Sequence, residues 1–507
     1  MAQIAKQKQI GGDRQPPGPT GVAAAPSQQQ LQPKQQPLQQ ITTPQPDIPR
    51  FYFPEGKPQD KDGLKKTEEL IDKIFTEKIE LKKEDFEQIT TEVCGLPKFL
   101  KTLLFDRIDS GKTGKITKPA FTLFWKKDFQ NIDASRRIFK IIAKPDADAL
   151  TQEDFKPIMK ILLETHPGLE FLQATPEFQD RYADTVVMRI FYKIDMNDDG
   201  RITYRDFKRS NLKDVLFNVA GEDDINKVRE YFSYEHFYVL YCRFWELDTD
   251  HDFLIDKDDF SRYEGHALSR KAVERIFDQV PRKFKSGTKD KMGYEDFVWF
   301  MLSEEDKTSA RSLRYWFTII DLDNNEIITP HEMEHFYEEQ VHRLEYLNHE
   351  QILFVDLLCQ MNDMIKPAKE GHFHFHELKK FNAQIGIFFN CLVNLQKFIA
   401  FEGRDLFAIK HQLTEFPNYT EWDRFAKGEY ERLAMEEENG EDSEMIDAME
   451  GWDSDQDDQN REGGTAGAGG AAGAGAAAGG ATGANPAGEG VAKTGAAAGQ
   501  KQVLKAD

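Results

Sequence analysis

The stretch that decides the fold is Ile320-Asp321-Leu322-Asp323-Asn324-Asn325-Glu326-Ile327-Ile328-Thr329-Pro330-His331-Glu332-Met333. Asp321, Asp323, Asn325 and Glu332 put side-chain oxygens at positions 1, 3, 5 and 12 of a twelve-residue loop. Thr329 adds a hydroxyl, Ile327 offers its carbonyl at position 7, and Ile328 is apolar at position 8. That register is the calcium loop of the EF-hand, in which oxygen ligands surround a hard cation. Glu332 is long enough to chelate with both carboxylate oxygens, which favours calcium over the smaller, strictly octahedral magnesium. Upstream, Leu313, Trp316, Phe317 and Ile320 fall at helical spacing, so the loop is predicted to join two helices.

Outward from this loop the pattern recurs, and internal repetition of this kind sets the architecture. Asp248 to Asp259 supplies Asp248, Asp250, Asp252, Asp256 and Asp259, with the Leu254 carbonyl and the apolar Ile255. Asp195 to Asp206 supplies Asp195, Asn197, Asp199, Thr203 and Asp206, with the Arg201 carbonyl, and it alone of the three keeps the usual glycine at position 6, Gly200. Phe253 and Glu326 hold that position in the other two loops, where positive φ adds strain of about 1 kcal/mol or more. Asp206 and Asp259 are one methylene shorter than glutamate, so their bidentate reach is reduced and magnesium competes better. Affinities no tighter than roughly micromolar are expected. The loops at 109–120, 143–154, 285–296 and 366–377 keep the spacing but lack most ligands, and are expected to be structural pairing partners.

The fold class is therefore all-α: tandem EF-hand-like helix–loop–helix repeats, elongated, with disordered tails. Residues 1–47 are a Gln/Pro-rich arm with no Phe, Trp or Tyr, too poor in apolar area to offset its ordering entropy. Residues 48–175 are assigned to an N-terminal helical region with an aromatic anchor and a degenerate EF-hand-like pair, and 176–435 to the domain with the calcium loops. Residues 436–507 are an acidic then Gly/Ala-rich tail, in which Glu436 to Glu462 holds 13 acidic residues against one Arg.

Composition narrows the function. With 66 Lys and Arg against 88 Asp and Glu, the formal charge is −22, which opposes binding to nucleic acid or to a bare anionic membrane. No apolar run reaches the roughly 18 residues of a membrane span, and no apolar signal core follows Met1, so an intracellular, cytoplasmic protein is expected, with nuclear, cytoskeletal or centrosomal association as further locations. Cys94, Cys242, Cys359 and Cys391 are scattered and read as reduced, mostly buried thiols. No glycine-rich phosphate loop, Gly-x-Ser-x-Gly elbow or His-Glu-x-x-His helix occurs, so the chain is not expected to be an enzyme. His372, His374 and His376 alternate as they would on one face of a strand, a pattern that invites zinc or is the loop strand of a degenerate hand; the second reading is adopted. Ile48-Pro49-Arg50-Phe51-Tyr52-Phe53-Pro54 is extended by its prolines, and Phe51, Tyr52 and Phe53 either pack on their own core or anchor a partner.

Long runs in the core closely resemble the B″ regulatory subunits of protein phosphatase 2A. They are Phe232-Ser233-Tyr234-Glu235-His236-Phe237-Tyr238, Phe244-Trp245-Glu246-Leu247-Asp248-Thr249-Asp250-His251-Asp252, Asp296-Phe297-Val298-Trp299-Phe300, Ser303-Glu304-Glu305-Asp306-Lys307, Phe336-Tyr337-Glu338-Glu339-Gln340 and Cys359-Gln360-Met361, with the opening Ile48 to Pro54. The resemblance covers about residues 48 to 435. It implies a non-catalytic subunit that joins the HEAT-repeat scaffold (A) subunit and the catalytic (C) subunit, and that directs the phosphatase to phosphoprotein substrates and locations. It further implies calcium sites at Asp248, Asp250, Asp252 and Asp259, and at Asp321, Asp323, Asn325 and Glu332, and a scaffold-binding role for the region ahead of them, including Phe51 to Phe53. A third ion at Asp195 to Asp206 is a reading of the residues alone. The alternative is a stand-alone EF-hand calcium sensor or cytoskeletal adaptor, which would expose a Met-rich groove; the chain has only 12 Met, not concentrated in the EF-hand helices.

Overall fold

In every hand the apolar residue at position 8 and the residue at position 13 turn inward, and this pair of contacts builds the fold. The computed structural model describes residues 61–381 and 383–439. The N-terminal arm, the run containing Phe51, Tyr52 and Phe53, and the tail from residue 440 onward lie outside the described residues, while residues 436–439, assigned to the disordered tail, continue the helix Glu421–Asn439.

The described chain is helical, with only two-residue strands, and it contains eight hands. Hand 1 runs from Lys61–Glu77 into Lys83–Phe86, hand 2 from Lys101–Ile108 into Lys118–Phe124, hand 3 from Ala134–Ile142 into Gln152–Thr165, and hand 4 from Pro176–Ile194 into Tyr204–Arg209. Hand 5 runs from Tyr234–Leu247 into Lys257–Ser261, hand 6 from Arg270–Phe277 into Tyr294–Glu305, hand 7 from Ala310–Ile320 into Pro330–Tyr346, and hand 8 from Phe354–Ile365 into Phe375–Leu378. The loops pair as short antiparallel ladders. Leu81 faces Ile116, Leu150 faces Ile202, Ile255 faces Met292, and Ile328 faces Phe373, joining hands 1 with 2, 3 with 4, 5 with 6 and 7 with 8. These eight position-8 side chains are at most 1% exposed, and so are the position-13 residues Phe86, Phe121, Phe155, Phe207, Phe260, Phe297, Met333 and Leu378. Each loop thus contributes two fixed apolar anchors to a core in which Trp245, Trp299 and Trp316 are also buried.

The four ligand-poor loops are pairing partners, as their spacing predicted, and Phe373–His374 is the loop strand of hand 8. Two expectations need correction. Hand 1 is not among the loops expected from the sequence. The loops at 109–120 and 143–154, expected to form one degenerate pair, each pair elsewhere, and the ladder between hands 3 and 4 spans the expected boundary at 175/176. The physical reason is that a loop strand lacking its ladder partner would leave backbone groups unpaired, so the 143–154 loop must keep company with the 195–206 loop. Among the cysteines, Cys94, Cys242 and Cys391 are buried thiols, while Cys359 is exposed on Phe354–Ile365. No described helix is long and apolar enough to cross a membrane.

A final helix, Glu421–Asn439, lies along the incoming helix of hand 5. Trp422 Nε1 donates to His236 Nδ1 at 3.2 Å, Glu429 pairs with Arg243 at 2.8 Å, and Arg432 with Glu246 at 3.1 Å. The helix that leads into Asp248 is thereby braced along its length.

Gly371 provides a direct check on the pairing of hands 7 and 8. Its φ is +74°, and a Cβ there would meet Pro330 Cγ at 2.9 Å, at the head of the outgoing helix of hand 7. Gly371→Ala is expected to destabilise the pair by more than the roughly 1 kcal/mol of left-handed strain alone. Thermal denaturation of the full chain checks this, and an unchanged melting temperature would contradict the packing described.

Candidate metal centres

Seven of the eight loops close by the same local device. The position-12 carboxylate accepts the backbone N–H three residues earlier and so caps the outgoing helix. Asp85 does this for Lys82 (3.3 Å), Asp154 for Thr151 (2.7 Å), Asp206 for Thr203 (3.3 Å) and Asp259 for Asp256 (3.4 Å). Asp296 does it for Gly293 (3.3 Å), Glu332 for Thr329 (2.8 Å) and Glu377 for His374 (3.2 Å). Of the eight hands, only hand 2, with Ala120, lacks the group.

Among the described residues, two groups of three acidic side chains bring ligand atoms within 4.8 Å of one another: Asp248, Asp250 and Asp252 in hand 5, and Asp321, Asp323 and Glu332 in hand 7. Asp248 terminates Tyr234–Leu247 and is fully buried. Its Oδ2 accepts Phe253 N at 2.8 Å, whereas Oδ1 is buried with no hydrogen-bond partner. Burial, reinforced by Asp250 and Asp252, pushes the Asp248 carboxyl up to about 7. A buried carboxylate oxygen without a hydrogen-bond partner, beside two further carboxylates, fits a hard divalent cation, which would compete with a proton for the site. Asp252 takes Leu254 N on one oxygen at 2.8 Å, and on the other it meets Lys291, reaching across from the loop of hand 6.

The rest of the hand 5 ligand set is engaged elsewhere. Asp256 is the N-cap of Lys257–Ser261, accepting Asp258 N at 2.8 Å and Asp259 N at 2.9 Å. Asp259 accepts the Thr249 hydroxyl at 3.0 Å and pairs with Arg262; burial would raise its carboxyl, but these partners hold it below the usual carboxylate range. Leu254 lies in the loop strand.

Hand 7 is more completely assembled. Asp321 is buried, with Oδ1 accepting Asn325 N at 3.1 Å and Oδ2 accepting Glu326 N at 2.9 Å; burial raises its carboxyl. Asn325 donates to Asp323 at 2.8 Å and accepts Ile327 N at 2.8 Å. Glu332, also buried, accepts Leu322 N at 2.7 Å and the Thr329 hydroxyl at 2.7 Å while remaining within the ligand group. Phe253 and Glu326 both adopt φ of +63°, the strain their sequence position implies. The Phe253 ring offsets it by packing against Phe244 (5.0 Å) and under Arg181 (4.0 Å).

The Asp195 loop does not form a third group of acids. Asp195 accepts Gly200 N at 2.8 Å, Asp199 accepts Arg201 N at 3.0 Å, and Asp206 is held by Thr203 in the helix cap. Asn197 lies in the same loop, and Arg201 is drawn to Asp148 of hand 3 at 2.6 Å. Sequence reasoning missed the cations that replace an ion elsewhere. In hand 6, Arg282 bridges Asp198 (2.9 Å), Glu295 (3.2 Å) and Asp296 (2.5 Å), and Asp296 also accepts Lys285 N at 3.0 Å. Lys285 at position 1 was the available signal.

A family model described as an EF-hand domain matches residues 133–222, which spans hands 3 and 4. Over 393 residues the chain is 50% identical to a probable serine/threonine protein phosphatase 2A regulatory protein of Arabidopsis thaliana, the B″delta form, covering 77% of this chain and 73% of that relative. It is 39% identical over 412 residues to the beta form of the B″ regulatory subunits of serine/threonine-protein phosphatase 2A in Homo sapiens, with 80% and 71% covered. A chain of a solved PP2A PR70 holoenzyme is 43% identical and covers 53% of this chain and 98% of its own length, at a TM-score of 0.48. With half of 393 aligned positions identical and about three quarters of both chains covered, the chain belongs to the B″ family of protein phosphatase 2A regulatory subunits.

Proposed function

We propose that the chain is a non-catalytic regulatory subunit that joins the scaffold (A) and catalytic (C) subunits of protein phosphatase 2A, directs the enzyme to phosphoprotein substrates, and assembles in a calcium-dependent way. The observation that carries the calcium part is the buried, unpartnered Asp248 Oδ1 within a group of three carboxylates, matched in hand 7 by a group that includes the position-12 Glu332. Two ions are proposed. In hand 7, Asp321, Asp323, Asn325, Glu332 and the Ile327 carbonyl form the stronger set; in hand 5, Asp248, Asp250, Asp252 and the Leu254 carbonyl act without a freely available Asp259. The loop from Asp195 to Asp206 is assigned no ion because its acids do not converge as those of hands 5 and 7 do.

Calcium would supply the charge that lets these carboxylates coexist ionised. The chain's own part is to fix both incoming helices, through Asp248 and Asp321 at their ends, and the outgoing helix of hand 7, through Glu332. Ordering of these helices offers a partner one fixed surface. Linkage then requires that a partner preferring the ordered arrangement bind more tightly in calcium, by the factor with which it tightens calcium binding. Phe51, Tyr52 and Phe53 are proposed as an anchor on the scaffold, and a cytoplasmic location is proposed with them.

Mixing the full chain with purified scaffold and catalytic subunits is expected to give a ternary complex on size exclusion that is stronger in calcium than in chelator. Asp248→Ala or Glu332→Ala is expected to remove the calcium effect while the basal complex persists. Co-elution that ignores calcium would refute the coupling, and no complex in either condition would favour the stand-alone sensor.

The raised Asp248 carboxyl has a defined sign. Its pKa in the fold, about 7, exceeds the ordinary 3.8, so this carboxyl contributes stability below about pH 4 and loses that contribution as the pH rises through 7. In chelator, the stability gained by Asp248→Asn is expected to grow between pH 6 and pH 8, read by thermal denaturation. In the unaltered chain, hand 5 affinity for calcium is expected to fall about tenfold from pH 8 to pH 6, because binding must displace the proton.

A further inference from the structure

The outgoing helix of hand 5 is short, and the chain beyond it makes an unusual bend. Glu264 (φ 47°, ψ 47°), Gly265 (φ 61°, ψ 43°) and His266 (φ 66°) follow one another in the left-handed region. No other run of three consecutive positive-φ residues occurs among the described residues. Two of the three carry a Cβ, so the bend is strained and persists only where surrounding contacts over-determine it.

Those contacts come from hand 7 and from the two helices that follow hand 8, Ala383–Val393 and Leu395–Glu402. Arg343, on the outgoing helix of hand 7, donates to the His266 carbonyl and to the carbonyls of Ala267 (3.3 Å) and Leu268 (3.1 Å). Gln396 Nε2 donates to the Glu264 carbonyl at 2.5 Å, Leu395 N to the Ala267 carbonyl at 2.9 Å, and Ser269 N to the Val393 carbonyl at 2.8 Å. From the hand 5 side, Arg243 on the helix leading to Asp248 holds the Glu264 carboxylate at 3.3 Å. The next helix, Arg270–Phe277, is held in turn: Glu339 of hand 7 accepts Arg270 N at 2.6 Å and Lys271 N at 3.2 Å. Arg275 closes the circuit by donating to the carbonyls of Thr318, Ile319 and Asp321, each at 2.9 Å. Asp321 is position 1 of the hand 7 loop.

We propose that the left-handed bend at Glu264–His266, gripped by Arg343 and Glu339, is a latch that couples the two calcium loops so that they fill with positive cooperativity. Glu332, Glu339 and Arg343 lie on one helix, Pro330–Tyr346, so fixing Glu332 at its head steadies both gripping residues. The grip in turn fixes the segment between the outgoing helix of hand 5 and the loop of hand 6 that pairs with it. Both carboxylate groups are gathered in the same conformation as the closed latch, so two ions select one state and each raises the affinity of the other by the same factor.

The proposal rests on the reading of hands 5 and 7 as calcium loops. Calorimetric titration of the full chain with calcium, with Asp248→Ala used to assign the hand 5 heat, tests it. Emptying hand 7 with Glu332→Gln is expected to weaken hand 5 by about tenfold, within the usual range of coupling between sites. In an Arg343→Met or Glu339→Gln background, whose hand 7 ligands are intact, the same Glu332→Gln change is expected to shift hand 5 by less than about twofold; the second background keeps the test available if the first does not fold. Two ions bound independently in the unaltered chain, or the full weakening retained in both latch variants, would overturn the latch and leave the calcium reading standing. No calcium uptake by the unaltered chain would overturn both.

Discussion

The antiparallel ladder between paired loops is the constraint on which the rest depends. It is two residues long, and in isolation so short a ladder would be marginal. It persists because the same residues carry position 8 inward, and each facing pair of apolar side chains closes the base of two hands at once. A hand cannot bury its own base, so every hand requires a partner whether or not either binds an ion. This is why ligand-poor loops occur beside ligand-rich ones: Met292 faces Ile255, and Phe373 faces Ile328, so hands 6 and 8 hold up the loops of hands 5 and 7.

A second economy lies in position 12. A carboxylate there caps the outgoing helix by accepting the N–H three residues back, a contribution of about 1 kcal/mol that needs no metal. Hands 1, 3, 4, 6 and 8 retain the cap in the absence of a gathered ligand set. An acid at position 12 is therefore evidence of a helix start before it is evidence of calcium. Glu332 does both, because its longer side chain accepts Thr329 N while staying among the other acids. Asp259 is too short for both and turns to Arg262 and Thr249 instead.

Much of this was legible from spacing. The helical repeat, the loop register, the apolar position 8 and the burial of Trp245, Trp299 and Trp316 all follow from periodicities that local physics enforces, and the family followed from long unbroken runs. What was not legible depends on contacts between distant residues. Hand 1 has no acid at its first loop positions, and only Leu81 and Asp85-Phe86 mark it, a signal that gains meaning once Ile116 is known to need a partner. The boundary at 175/176 falls where a helix starts, but the ladder crosses it. The Asp195 loop has nearly the same acids as the Asp248 loop, and the difference lies in contacts with other hands: Arg282 and Arg311 draw on Asp198 and on the Asp195 carbonyl, while the loop's own Arg201 turns to Asp148 of hand 3. Cys359 follows an apolar stretch in sequence, yet faces outward because its helix buries only the face of Leu357, Met361 and Ile365.

The comparison of hands 4 to 7 suggests a general criterion for which loop needs an ion. Each of these loops gathers negative charge at the mouth of a helix, and each must neutralise it. Hand 6 does so with the Arg282 guanidinium on Asp296, and hand 4 with backbone N–H groups on Asp195 and Asp199. Hand 7 satisfies its acids with backbone donors yet leaves three of them converging. Hand 5 goes furthest, with Asp248 fully buried and one oxygen unpartnered, and with Lys291 reaching only Asp252 at the rim. Counting acids ranks hands 4 and 5 together, and each holds a buried carboxylate oxygen without a hydrogen bond, but Asp198 Oδ1 of hand 4 faces the Lys285 ammonium at 3.3 Å whereas Asp248 Oδ1 faces no cation among the described residues. Because a buried carboxylate without a partner is costly, the residual imbalance marks where binding free energy is available to do conformational work, and in this chain it sits at the end of the helix braced by the C-terminal segment and one bend away from the second calcium pair.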